Sequence, residues 1–309
     1  MRRGKMLEEL VRGVFVVHPD GPPQYPYGNC MYVQDLRPAV IDMGAGACAF
    51  SAINCESVQL GLISHYHFDH LHGIDLFRQA SLYAGWQEQK AYSEEEQYVK
   101  LHGYELWEEM MPGVPRPPLG PVAPLPDDVM APPGFRKIIL SGTFTDGELI
   151  DLGHRTLRAV YLPGHTVGHY GFYLEKEGIL FSGDLDLVSS GPWYGSASAD
   201  IGELIKSVKR IKDMDPKIIV PAHRRVQKQD IQSSLDRYIQ VVLDRQYLIL
   251  EILAKAMDLE ELSHYPLGFK PAENIYGLFW KKISIRNHLC YLQCLGIIEE
   301  VEPGRYHRK

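Results

Sequence analysis

A chain of 309 residues, 45% hydrophobic and 23% charged, has the make-up of a globular protein with one large core and room for a smaller one. A formal net charge of −7 excludes a protein wrapped in nucleic acid over its whole surface. No apolar run approaches the roughly 20 residues that a bilayer span requires, and five cysteines without C-x-x-C spacing exclude a disulfide framework.

The basic start, Met1-Arg2-Arg3-Gly4-Lys5, is interrupted by Glu8 and Glu9 before a signal-peptide core can form, so a cytoplasmic protein is expected. Short strand-like runs follow at 13–18, 30–34 and 39–42, punctuated by Gly21-Pro22-Pro23 and Gly44-Ala45-Gly46. A strand at 60–64 leads into a histidine cluster, and 69–77 read as the first turns of a helix. Another strand is predicted at 81–84, then a helical, Glu-rich stretch at 86–111. Proline and glycine crowd 112–133, which excludes a regular helix or central strand there. Residues 86–135 therefore read as an insertion lying over the surface, either a lid or an ornament.

Strands resume at 136–140, 148–151, 156–162, 170–175 and 178–182. Asp200, with Glu203 three residues on, caps a helix whose apolar stripe is Ile201, Leu204, Ile205, Val208 and Ile211. A last strand at 217–221 and a long helix at 231–257 close this part. The pattern predicts an α/β protein; it fits both two packed sheets with outer helices and a doubly wound sheet. Cys290 and Cys294, one helical turn apart, are expected to pack inside as reduced thiols, as are the other cysteines.

Four apolar runs end on potential metal ligands: His65 after 62–64, His165 after 160–164, Asp184 after 180–183 and His223 after 218–222. The first continues as His65-Tyr66-His67-Phe68-Asp69-His70, so one cluster can feed two adjacent metal positions. His65 and His67, two apart on extended chain, can point the same way. His165 and His223 can complete the two sets and Asp184 can bridge them. Imidazole and carboxylate suit zinc, with iron or manganese as alternatives. His169 can protonate a leaving group or serve as a hydrogen-bond partner behind the ligands. Asp42 reads as a turn-forming or supporting residue.

The pieces 64–73, Pro163-Gly164-His165-Thr166-Val167-Gly168-His169, Phe181-Ser182-Gly183-Asp184 and Pro221-Ala222-His223 resemble the metallo-β-lactamase superfamily, specifically its glyoxalase II-like branch. The resemblance covers roughly residues 13–240. It implies an αββα sandwich with two divalent metal ions at one edge. By that likeness His65, His67 and His165 hold one ion, Asp69, His70 and His223 hold the other, and Asp184 bridges. It implies hydrolysis by a metal-bridging hydroxide, with Asp69 orienting or accepting a proton.

Beyond this catalytic domain, placed at 1–240, the pattern changes. Helices ending at 248–257, starting at 271–276 and spanning 284–295, with a hairpin at 297–302 and 305–307, resemble a winged-helix domain at 241–309. The stretch from Ser263 onward carries about +3 and the remainder about −10. Arg286, Asn287, His288 and Gln293 are a thin set for reading bases, so this domain is expected to pack or to form a homodimer. The expected partner is a small ester, thioester or lactone. The alternative is a metal-dependent ribonuclease that uses the C-terminal domain for RNA. Leu185-Asp186-Leu187 follows Asp184 where the superfamily's lactonases have a tyrosine.

Overall fold

The computed structural model describes residues 6–122 and 124–309; the basic segment of residues 1–5 lies outside them. Seven strands, β1 (Leu7–Val11), β2 (Val14–Val17), β3 (Cys30–Val33), β4 (Ala39–Ile41), β5 (Leu60–Ile63), β6 (Ser81–Gly85) and β7 (Gly142–Phe144), pair in chain order. The first four run antiparallel, and β4 to β7 run parallel. A second sheet holds β8 (Leu149–Asp151), β9 (Thr156–Tyr161), β10 (Tyr170–Leu174), β11 (Ile179–Gly183) and β12 (Ile218–Pro221). Its strands alternate in direction except for the parallel pair β11 and β12.

Side chains alternate across each strand, and this sorts the core into layers. Val14 and Val16 join Met31, Leu62, Phe172 and Phe181 between the two sheets. Val17 instead joins Val40, Ile63 and Phe50 on the outer face of the first sheet. That face is covered by α1 (Ala47–Phe50), α2 (Glu95–His102) and short 3-10 turns. Helices α3 (Trp107–Met110) and α4 (Leu119–Val122) follow α2 in the chain; on the second sheet, Val160, Leu180 and Ile219 meet α5 (Ile201–Met214) and α6 (Ile231–Ile252). Two sheets thus pack face to face with helices outside, which excludes the doubly wound alternative. The Asp200 side chain accepts the Glu203 N–H, and Ile201, Leu204, Val208 and Ile211 are buried, as the stripe predicts.

Several elements differ from expectation. Residues 69–77 form two 3-10 turns, Phe68–His70 and Ile74–Leu76. Met43 takes their backbone groups: its N–H donates to the His70 carbonyl and its carbonyl accepts from Gly73, so an α-helical ladder cannot propagate. Residues 136–140 join no sheet; Ile138 N–H donates to the Tyr92 carbonyl, and β7 occupies the neighbouring strand position. Strand β1 has two glutamates in five residues; as an edge strand it tolerates them, and Glu8 pairs with Lys228. The insertion at 86–135 is only half a surface feature. Tyr92, Tyr98, Trp107 and Met110 are buried, whereas the Pro-rich half is largely exposed.

After α6 come β13 (Met257–Asp258), α7 (Leu259–Ser263), α8 (Ile275–Cys294), β14 (Ile298–Glu302) and β15 (Arg305–Arg308). The three strands pair in the order β13-β15-β14. The two helices expected at 271–276 and 284–295 are one helix, capped by Asn274 accepting from Gly277. Ile285, Leu289 and Leu292 face Leu253, Leu262 and Ile298, while Phe279 and Ile283 face Trp107 and Met110. A helix covered on most sides shows no single apolar stripe, which hides it from periodicity. Cys290 and Cys294 are exposed, not buried as expected, and so is Cys48. Among the described residues no helix is long and apolar enough to cross a membrane.

Candidate metal centre

Strands β4, β5, β9, β11 and β12 all end at one edge of the sandwich, and each is followed within a few residues by a polar side chain. Asp42 follows β4, His65 follows β5, His165 follows β9, Asp184 follows β11 and His223 follows β12. Parallel neighbours in each sheet terminate together, so the topology delivers residues distant in sequence to one place.

The seven expected ligands meet there in two groups. His65, His67, His165 and Asp184 form one; Asp69, His70 and His223 form the other. In the first, His65 Nε2 lies 2.9 Å from His67 Nδ1, and His165 Nε2 lies 3.2 and 3.0 Å from these two atoms. Nitrogens held about 2.0–2.1 Å from a tetrahedral ion stand about 3.3 Å apart, so this triangle fits such an ion. His67 Nε2, by contrast, is buried with no hydrogen-bond partner among the described residues.

Asp184 spans both groups. Its Oδ2 lies 3.2 Å from His165 Nε2 and 4.0 Å from His65 Nε2. Its Oδ1 lies 2.9 Å from His70 Nε2 and 3.1 Å from His223 Nε2. Asp69 Oδ2 lies 3.2 Å from the same His223 nitrogen. These histidine and aspartate residues are positioned to bind metal ions.

The rings are aimed by their far nitrogens. His65 Nδ1 meets Ser64 Oγ at 2.9 Å, and Ser64 donates both its hydroxyl and its N–H to Asp42. His70 Nδ1 lies 2.6 Å from Asp42 Oδ2. His165 Nδ1 reaches the Trp193 carbonyl at 2.8 Å, and His223 Nδ1 reaches that of Tyr27 at 3.1 Å. Asp42, read as a supporting residue, holds both His65 and His70 through one carboxylate. His72 Nε2 meets the Gly44 carbonyl at 3.0 Å and stands behind the ligands.

Burial, reinforced by neighbouring imidazoles, holds His65 and His67 well below the usual histidine range, so both stay neutral and able to bind a cation. Burial alone would do the same to His70, but Asp184 and Asp42 raise it to about 10. Carboxylates therefore draw positive charge into this pocket.

His169 is fully buried, and both ring nitrogens are engaged. Nδ1 donates to the Leu162 carbonyl at 3.0 Å, and Nε2 accepts the Asp184 N–H at 3.1 Å. Burial and the adjacent His165 push its pKa down to about 3. Of the two roles read for His169, these bonds are those of a hydrogen-bond partner behind the ligands, one that holds the Asp184 backbone.

Sequence reading missed four supports. Tyr238, on α6, donates its hydroxyl to the Asp184 carbonyl at 3.0 Å. Tyr27 and Trp193 act through their carbonyls, which no side-chain motif reveals. Glu88 holds backbone beside the ligands, and nothing distinguishes it from the other glutamates of its stretch. Trp193 also places its exposed ring 5.3 Å from His67 and 5.5 Å from His165, as one wall of the mouth.

An α/β sandwich with a His/Asp pocket at one sheet edge is a metal-binding fold. Residues 62–223, just over half of the chain, match the sequence model of the metallo-beta-lactamase superfamily. The chain belongs to that superfamily. It is 33% identical over 115 residues to the lactamase-like protein nscB of Arthroderma gypseum, covering 37% of this chain and 35% of that one. The lactamase-like protein adaB of Aspergillus niger is 33% identical over 111 residues, 36% of this chain and 33% of that one. The match thus spans about a third of the length of these curated relatives.

Among solved structures, the metallo-beta-lactamase family protein TTHA1429 from Thermus thermophilus aligns with a TM-score of 0.73 at 22% identity, over 97% of this chain and 100% of that one. A beta-lactamase domain protein from Burkholderia ambifaria aligns with a TM-score of 0.64 at 18% identity, over 98% and 93% of the two chains. Both show the fold, and the alignments extend through the C-terminal helices.

Proposed function

We propose that this chain is a dinuclear-metal-dependent hydrolase of a small ester, thioester or lactone, from the glyoxalase II-like branch. One observation carries the reading: the two oxygens of Asp184 divide between the two ligand groups, Oδ2 toward His165 and Oδ1 toward His70 and His223. A carboxylate so placed offsets two cations at once. His65, His67 and His165 would hold one ion, Asp69, His70 and His223 the other. The nitrogen-rich set favours zinc over the harder cations, with iron or manganese as alternatives. When bound, the ions supply Lewis acidity and a nucleophilic water at neutral pH. Asp69 is the carboxylate that would orient that water or take its proton. Trp193 would hold the apolar part of the substrate.

The helix-strand-helix-helix-hairpin order after residue 241, with its β13-β15-β14 sheet, supports a winged-helix-like unit appended to a catalytic domain at 1–240. Its surface argues against RNA. Lys282 is buried, donating to the Met110 carbonyl and pairing with Glu260. Lys281 donates to the Ser263 carbonyl; Arg305 pairs with Asp258 and Glu261, and Arg308 with Glu251. Asn287 and His288, on the helix that would read bases under the RNA alternative, point inward, toward residues 194–196. The buried Lys282 cannot reach a phosphate, and Arg305 and Arg308, at the surface, are already paired with carboxylates that lower the positive charge they offer. The exposed thiols Cys290 and Cys294 suit a cytoplasmic setting.

The test is a substrate panel of thioesters, carboxylic esters, lactones, phosphodiesters and single-stranded RNA, each with zinc, manganese or iron. The expected result is turnover of a thioester, ester or lactone and weak RNA binding with little salt dependence. RNA cleavage with tight, steeply salt-dependent binding would overturn the reading.

A further inference from the structure

The ligands of the proposed first ion come from different sheets. His65 and His67 follow β5 of the first sheet, and His165 follows β9 of the second. The sheets meet through apolar side chains, whose attraction is non-directional and tolerates small slips. Something directional must fix one loop against the other.

Glu88 supplies it. This residue sits in the 3-10 segment Trp86–Tyr92, at the start of the insertion, and its carboxylate is buried. Oε2 accepts the N–H of Tyr66 at 3.0 Å, and Oε1 accepts that of Gly168 at 2.8 Å. Tyr66 is the spacer between His65 and His67. Gly168 lies between His165 and His169 on the second loop. Close approach requires a glycine at 168, because a Cβ there would stand 2.5 Å from Glu88 Cγ. In the other group the Tyr27 carbonyl stands behind His223 and Asp42 behind His70; Asp42 reaches the first group as well, through Ser64 to His65.

We propose that Glu88 is a positioning residue for the His65, His67 and His165 set, a carboxylate strap that sets the spacing of two ligand-bearing loops across the sandwich. The proposal rests on the paired-ion reading. It gives the helical half of the insertion a part in building the site.

Glu88→Gln tests it in the full chain. The amide keeps the size but turns one acceptor into a donor that faces a backbone N–H, so one side of the strap opens. Zinc and cobalt(II) titrations of metal-free protein read the stoichiometry, the two affinities and the cobalt absorption spectrum. The wild type should bind two ions. Glu88→Gln should lose about 10- to 100-fold in the affinity of one ion, as when groups that orient ligands are removed, and leave the second unchanged. If that variant does not fold, Gly168→Ala displaces the strap from the other loop and should give the same selective loss. Two ions bound by the folded variant with wild-type affinities would overturn the strap alone. Fewer than two ions in the wild type would overturn the paired-ion reading and the strap with it.

Discussion

The backbone N–H of Asp184 donates to His169 Nε2 at 3.1 Å, which joins a proposed metal-bridging carboxylate to a histidine that touches no other proposed ligand by hydrogen bond. The turn is tight: a Cβ on Gly183, whose φ is +54°, would stand 2.6 Å from that nitrogen. His169→Ala should therefore loosen Asp184 and lower metal affinity by about 10- to 100-fold, with turnover falling in step. Metal analysis beside kinetics checks this. Two ions retained, with loss confined to substrates with poor leaving groups, would restore His169 as an acid.

Asp184→Asn keeps the shape and removes the charge shared by the two groups. Bound metal should fall below two ions per chain, and turnover by at least about 100-fold. Elemental analysis of protein loaded and then desalted reads the first, and steady-state rates the second. Near-normal activity would mean that another residue bridges.

The Pro-rich half of the insertion is pinned beside the second group. Tyr27 donates its hydroxyl to Asp128, the Asp128 carbonyl accepts the Ala47 N–H at 3.0 Å, and the Tyr27 carbonyl holds His223. Asp128→Ala removes the side-chain bond and leaves the backbone one. If this segment is a lid, KM should rise roughly 5-fold, the equivalent of about 1 kcal/mol, with metal content unchanged. An unaltered KM across the substrate panel would make the segment a surface ornament.

His288 makes stability depend on pH. Burial, with the charge of Arg245 nearby, pushes its pKa down to about 3, and Nε2 meets the Tyr194 hydroxyl at 3.0 Å. A histidine whose folded pKa is depressed takes up its proton in the unfolded chain first. Its contribution is fully present above the unfolded value of about 6.5 and declines as pH falls, by ~1.4 kcal/mol per pH unit until about 3. His288→Gln should flatten the loss of stability between pH 6.5 and 4.5 by about that slope, measured by denaturant unfolding at constant salt. Parallel curves for the two proteins would show that His288 titrates normally.

Most of the proposed ligand set was legible because its chemistry is written locally. His65-Tyr66-His67-Phe68-Asp69-His70 packs four donors into six residues, and Pro163-Gly164-His165, Gly183-Asp184 and Pro221-Ala222-His223 each set a donor after a strand-ending residue. The short apolar runs of β2, β9 and β11 and the Asp200 cap were equally local, so these elements were predicted within a few residues. Helix α8 was split in two, because burial on several sides erases the stripe that periodicity detects. Residues 69–77 were misread because the competing hydrogen-bond partner, Met43, lies about thirty residues upstream.

The sequence by itself determined which side chains can bind metal and that they follow strand ends. Tertiary structure alone decided how they are aimed. The Trp193 and Tyr27 carbonyls orient His165 and His223, Glu88 ties the loops of Tyr66 and Gly168, and His169 and Tyr238 hold the Asp184 backbone. Folding also turned Asn287, His288 and Lys282 inward and so removed them from any RNA-reading surface. The division follows from the forces involved. Ligand identity and strand alternation are properties of neighbouring residues, whereas a hydrogen bond from a distant backbone carbonyl or a buried carboxylate exists only once packing has brought its partner within about 3 Å.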